Sequence, residues 1–133
     1  MKKLLSCLLL LTTLAVQAQV YNNEWIDHNK TYYKFKVGRD GLYRIPQATL
    51  AAAGMAGTPA EHFQLWRNGV EVPIHISVAA GTLTAADYIE FWGKMNDGKP
   101  DKALYQDPKF QLNDKWSLQT DTAFYFLTMN PAG

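Results

Sequence analysis

The chain has 133 residues, 13 basic and 12 acidic side chains, 13% aromatic residues and a single cysteine. So even a charge balance excludes the basic face that nucleic-acid binding requires, and one cysteine excludes a disulfide framework. A chain of this size makes one domain whose core buries about two-thirds of the unfolded surface.

Lys2 and Lys3 precede an apolar run from Leu4 to Leu14, and Val16 and Ala18 occupy the small-residue positions before Gln19. This is the layout of a secretory signal peptide over residues 1–18, cleaved between Ala18 and Gln19 after export by the Sec route. The run of 11 residues falls short of the roughly 20 that a spanning helix needs, so no membrane span is expected after processing. Cys7 follows Leu-Leu-Ser, loosely like a lipoprotein box, but most of the apolar core lies after it, which disfavours lipid attachment. Removal of residues 1–18 leaves 115 residues with 11 basic and 12 acidic side chains and no cysteine. The mature chain is expected in the periplasm, at the outer-membrane surface or outside the cell, without disulfide, thiol nucleophile or cysteine-bound metal.

Residues 19–129 read as a β-rich module. Val20 to Asn29 is a polar lead-in holding Trp25. Thr31 to Val37 alternates, with Tyr33, Phe35 and Val37 on one face and Tyr32, Lys34 and Lys36 on the other, the period-two signature of a half-buried strand. Gly38-Arg39-Asp40-Gly41 carries turn chemistry, and with a second strand from Leu42 to Ile45 the two segments predict a hairpin. Pro46 to Ala53 predicts a short helix ended by Gly54, too short to stand without packing Leu50 on a sheet. Met55 to Ala60 reads as a loop. A strand over His62 to Arg67 leads to Asn68-Gly69, the pair that suits a type I′ hairpin turn. The return strand sets Val70, Val72, Ile74, Ile76 and Val78 against Glu71, Pro73, His75 and Ser77, and Pro73, which lacks a ladder donor, marks an edge or a bulge. After a connection over Ala79 to Ala86, Asp87 to Trp92 opposes Ile89 and Phe91 to Tyr88, Glu90 and Trp92. Asn96 to Asp101 is turn-rich, Lys102 to Thr120 predicts an irregular excursion, and Thr122 to Met129 predicts an aromatic closing strand. Residues 130–133 read as the start of a linker. The fold class expected is all-β, an antiparallel sandwich or open barrel with one short helix.

Catalytic chemistry is not visible in these residues. Ser77 and Ser117 lack an activating context, and His28, His62 and His75 are scattered without zinc spacing. His75, on the outward face of its strand, reads as a solvated polar residue, and no cofactor is expected. Asn96, Asp97 and Asp101 offer oxygens suited to calcium, yet the run does not match the twelve-residue calcium loop, and turn chemistry is favoured. Trp25, Trp66, Trp92 and Trp116 offer a stacking platform for sugar rings or a partner. Trp66 and Trp92 are the candidates, although packing within a two-layer core is the favoured reading. Phe124, Tyr125 and Phe126 occupy both faces of the last strand, so at least one ring needs cover from another layer.

Taken in order, Tyr33-Lys34-Phe35-Lys36-Val37 before Gly41-Leu42-Tyr43-Arg44-Ile45, Phe63-Gln64-Leu65-Trp66-Arg67-Asn68-Gly69 before Val72-Pro73, Asp87-Tyr88-Ile89-Glu90-Phe91-Trp92 and Tyr125-Phe126-Leu127-Thr128 resemble the N-terminal, propeptide-like region of exported gingipain-related cysteine peptidases, nearest the type IX secretion system sortases of Bacteroidetes. The resemblance implies a His/Cys catalytic pair in a later domain, to which no position of this chain corresponds. It also implies a non-catalytic module, here a fragment whose partner is the following peptidase domain. A free-standing carbohydrate-binding module and an envelope assembly subunit are the alternatives.

Overall fold

The computed structural model describes residues 23–113 and 115–131; the expected signal peptide, its Ala18–Gln19 cleavage point and the end of the expected linker lie outside them. Among the described residues, seven strands and one short α-helix follow in the order β1 (Tyr33–Val37), β2 (Gly41–Pro46), α1 (Gln47–Ala52), β3 (Phe63–Arg67), β4 (Val70–Val72), β5 (His75–Ile76), β6 (Tyr88–Gly93) and β7 (Ala123–Met129). β1, β7, β3 and β4 form one antiparallel sheet in that order, and β2, β6 and β5 form the other. Both sheets are open and face each other across one core, so the layered antiparallel architecture is as expected and no barrel closes.

Period-two alternation places the core. Phe35 of the first sheet meets Phe91 of the second with ring centroids 5.7 Å apart, Tyr125 lies 5.4 Å from Phe91, and Tyr43 stacks on Phe91 at 5.6 Å. Leu65, Ile89, Val37 and Leu127 fill the space around these rings, and α1 adds buried Leu50. The helix begins at Gln47, with Pro46 ending β2 just outside it, one residue later than expected. Gly54 takes the expected left-handed exit at φ 86°.

Two expected strand arrangements are corrected. Gly38 to Asp40 closes no hairpin: Phe35 lies opposite Tyr125 in one sheet, whereas Tyr43 lies opposite Phe91 in the other. A hairpin would have laid all five inward rings and aliphatics of β1 and β2 (Tyr33, Phe35, Val37, Tyr43 and Ile45) in one layer. Crossing to the second sheet lets the two strands cover the core from both sides. The turn is pinned by Asp40 Oδ1, which accepts from Met95 N at 2.8 Å, and by Tyr43 Oη, which donates to Arg39 O at 3.0 Å. The long strand read over Val70 to Val78 is likewise two strands in different sheets, parted at Pro73 and Ile74. Proline has no N–H for a ladder, and the chain changes sheets there. Val72, Ile74, Ile76 and Val78 all pack on the core, but Val70, expected with them, is 67% exposed.

Other local signals hold. Asn68 and Gly69 both have positive φ, 50° and 77°, and join β3 to β4 as a type I′ turn does. The excursion is irregular apart from 3₁₀ turns at Lys99–Leu104 and Pro108–Phe110.

Candidate functional site

Ser77 and Ser117 both serve as pegs for the backbone. Ser77 Oγ donates to Asp87 Oδ1 at 2.7 Å and accepts from Tyr88 N at 3.1 Å, tying β5 to β6. Asp87 also accepts from Thr84 N and Thr84 Oγ1 at 2.7 and 2.6 Å. These bonds, first that from the Thr84 hydroxyl, then that from Ser77 and that from Thr84 N, hold the Asp87 carboxyl below the usual carboxylate range. Buried Ser117 donates to Asp101 Oδ2 and accepts from Gln119 N and Thr120 N, organising the excursion. Neither serine meets a histidine among the hydrogen bonds of the described residues. His28 and His75 are exposed and His62 is half-buried.

Asn96, Asp97 and Asp101 spend their oxygens internally. Asn96 Oδ1 accepts from Gly98 N at 3.1 Å and Asp97 Oδ1 from Lys99 N at 3.2 Å. Asp97 Oδ2 stands 3.5 Å from Lys99 Nζ and 3.7 Å from Arg67 Nη2. These are turn-forming contacts, and among the described residues no cluster of three His, Cys, Asp or Glu side chains is arranged to hold a metal ion.

The tryptophans divide. Trp66, on the outer face of the first sheet, is covered by Trp25, whose ring stacks on it at 5.5 Å and 21°. Trp25 also packs 5.5 Å from Phe126 and edge-on to Tyr32 at 5.6 Å. So the lead-in folds back as a strap, and Phe126 finds its cover within this chain. Thr128 Oγ1, fully buried, donates to Thr31 O at 2.8 Å and fastens the strap's end. Phe124 is roofed by Lys34, whose Nζ sits 3.8 Å from the ring centroid. Trp92 is different: 57% exposed on the outer face of the second sheet, it lies opposite Leu42, itself 66% exposed. Trp116 is 47% exposed. Core packing, the favoured reading for the tryptophans, is overturned for Trp92 and Trp116, because each stands on a surface that no described layer covers.

Three surfaces follow. The first is the Leu42–Trp92 pair, flanked by Arg44, which pairs with Glu90 at 2.7 Å and lies 3.8 Å over the Tyr88 ring. The second is the excursion, which exposes Leu104, Phe110, Leu112, Trp116 and Leu118. Exposed large apolar side chains concentrated in this way mark contact surfaces more often than singly scattered ones do. The third is an apolar cleft of about 430 Å³ between β1 and β2, walled by Tyr33, Phe35, Tyr43 and Ile45 and floored by Leu50 and Phe91. The strap and the cleft had no forecast in the sequence. Both depend on which strands pair, and the one available hint was a tryptophan set in a polar lead-in.

Among the described residues no helix is long and apolar enough to cross a membrane. No family model, no curated protein and no solved structure matches this chain.

Proposed function

We propose that this chain is the non-catalytic N-terminal module of an exported gingipain-like cysteine peptidase of the type IX secretion sortase kind, a fragment that lacks the peptidase domain. Its work is to pack against that domain and support its folding. The observation that carries the reading is the apolar surface left open by the excursion and by the Leu42–Trp92 pair, which suits a neighbouring domain. The ordered strand motifs supply the family. Reading uninterrupted genomic DNA past the Gly133 codon tests it. A downstream frame encoding a peptidase domain with its His and Cys supports the reading, and a stop codon with no such frame nearby sinks it.

A second reading, glycan stacking by a free-standing exported domain, is favoured by one observation, the exposed ring of Trp92. Trp66 offers less, since Trp25 already occupies a face of its ring. In a glycan-array measurement this reading expects a signal that Trp92→Ala abolishes and Trp66→Ala leaves in place. An array without signal counts against it.

A further inference from the structure

The two sides of the sandwich are built differently. On one side the edge strands are β4 and β5, three and two residues long, joined through Pro73. Short edges and proline are ordinary protections against pairing with another chain. On the other side the edges are β1 and β2, five and six residues long. β1 pairs only with β7, β2 only with β6, and among the described residues nothing pairs with their free sides. Between these two edges opens the apolar cleft. Its wall residues Tyr33, Phe35, Tyr43 and Ile45 are only partly buried although they pack on the core.

The charge at this side is mainly positive. From residue 30 to 46 the chain carries Lys30, Lys34, Lys36, Arg39 and Arg44 against Asp40 alone. Arg44 is taken up by Glu90 on the neighbouring strand, whereas Lys34 and Lys36 of β1 are exposed and have no ion pair among the described residues.

We propose that the free edge of β1 is a binding site for an extended segment of another protein, in which apolar residues alternate with Asp or Glu. Added as a new strand beside β1, such a segment aligns its apolar side chains with Tyr33, Phe35 and Val37 and sends them into the cleft. Its acidic side chains then lie beside Lys34 and Lys36 on the outer face. Backbone ladder bonds supply affinity and alternate side chains supply selectivity, as in other strand-addition complexes. Lysines on an exposed edge deter neutral or basic strands; opposite carboxylates they become favourable cross-strand pairs. A second copy of this chain is disfavoured as the occupant, because edge-to-edge pairing of β1 with itself brings like charges together. Residues 1–22 of the chain are disfavoured too, since they contain Lys2 and Lys3 and no acidic residue. The site does not depend on the peptidase reading.

The test is fluorescence anisotropy of the purified chain with labelled synthetic peptides of about ten residues, long enough to span a strand. One alternates valine and phenylalanine with glutamate, and the other carries lysine at every glutamate position. Binding of the glutamate peptide is expected to exceed that of the lysine peptide by roughly tenfold or more. Lys36→Glu, an exposed change whose fold is checked by circular dichroism, leaves Lys34 opposed by a carboxylate and is expected to abolish the preference. Hydrogen exchange is expected to slow in residues 33–37 and not in β4 or β5. Equal binding of the two peptides, no binding of either, protection on β4 or β5, or concentration-dependent dimerisation through residues 33–37 overturns the proposal.

Discussion

Gly93 ends β6 directly beneath the Tyr43 ring. A β-carbon built there would lie 2.6 Å from Tyr43 Cδ2 and 2.7 Å from Cε2, closer than real β-carbon contacts come, and a tight 3.1 Å from Val37 Cγ1. Tyr43 cannot yield easily, because its ring stacks on Phe91 and its hydroxyl is bonded to Arg39 O. Gly93→Ala is therefore an overpacking change that is expected to cost about 1–3 kcal/mol, read as a lowered urea midpoint with little change in slope. Gly69 is constrained for a different reason: its positive φ, and a β-carbon site 3.0 Å from Trp25 Cδ1, restrict the turn to glycine if the strap is to close over it. Asp87 brings a pH dependence at the same scale. Its folded pKa lies below the ordinary value because the ionised carboxylate collects the bonds from Thr84 and Ser77. The linked stabilisation is therefore present above the unfolded pKa of about 3.9 and is lost as the pH falls through the folded one. Wild type is expected to exceed Asp87→Asn in thermal midpoint at neutral pH, and that gap should narrow steadily below about pH 4.

The strap is the element whose contribution can be isolated most cleanly. Residues 23–32 make their own turns, Ile26 N donating to Asn23 O and Lys30 N to Asp27 O, each at 3.0 Å, and reach the sheet chiefly through Trp25. Trp25→Ala removes a stacked, a tilted and an edge-on ring contact at once, a loss of about 1–3 kcal/mol on the scale of aromatic pairs. It also uncovers Trp66, so the intrinsic fluorescence is expected to shift to the red while far-ultraviolet circular dichroism stays unchanged. An unshifted spectrum would show that the strap does not shield Trp66 in solution. Legibility at this scale followed local chemistry. Asn68-Gly69 was readable because two left-handed residues in succession admit few alternatives. The alternation in β1 and β6 was readable because period two reports one buried face. Pairing was not readable: Phe35 and Tyr43 show identical patterns whether their strands lie side by side or face each other across a core. Pro73 showed that a ladder must break, yet not that the chain would leave one sheet for the other.

At the scale of the whole molecule, two open sheets enclose one aromatic core while apolar side chains gather on the outside. The fold class was legible because short alternating segments between turns leave few options apart from a layered β architecture. The surfaces were not, since exposure of Trp92 beside Leu42 depends on no layer among the described residues covering it, and sequence alternation cannot tell a second core from an uncovered face. If these apolar faces are contact surfaces, light scattering of the isolated chain is expected to rise with added sulfate, which strengthens apolar burial, and Leu42→Ser with Trp92→Ser is expected to suppress the rise. Scattering that does not respond to both changes would argue that the face is inert.

The pairing of the first strand with the last has a temporal meaning. The chain emerges from its N-terminus, and β2, β5 and β6 are all present once Gly93 has appeared. Their sheet can assemble at that point. β1 and β3, however, must wait for β7, which begins only at Ala123 and lies between them. Throughout the synthesis or release of the intervening excursion, Phe35 and Leu65 have no completed sheet to hold them. The last strand works as a keystone whose arrival converts a half-built layer into a sandwich, and a chain cut anywhere before it leaves that layer in two unjoined pieces.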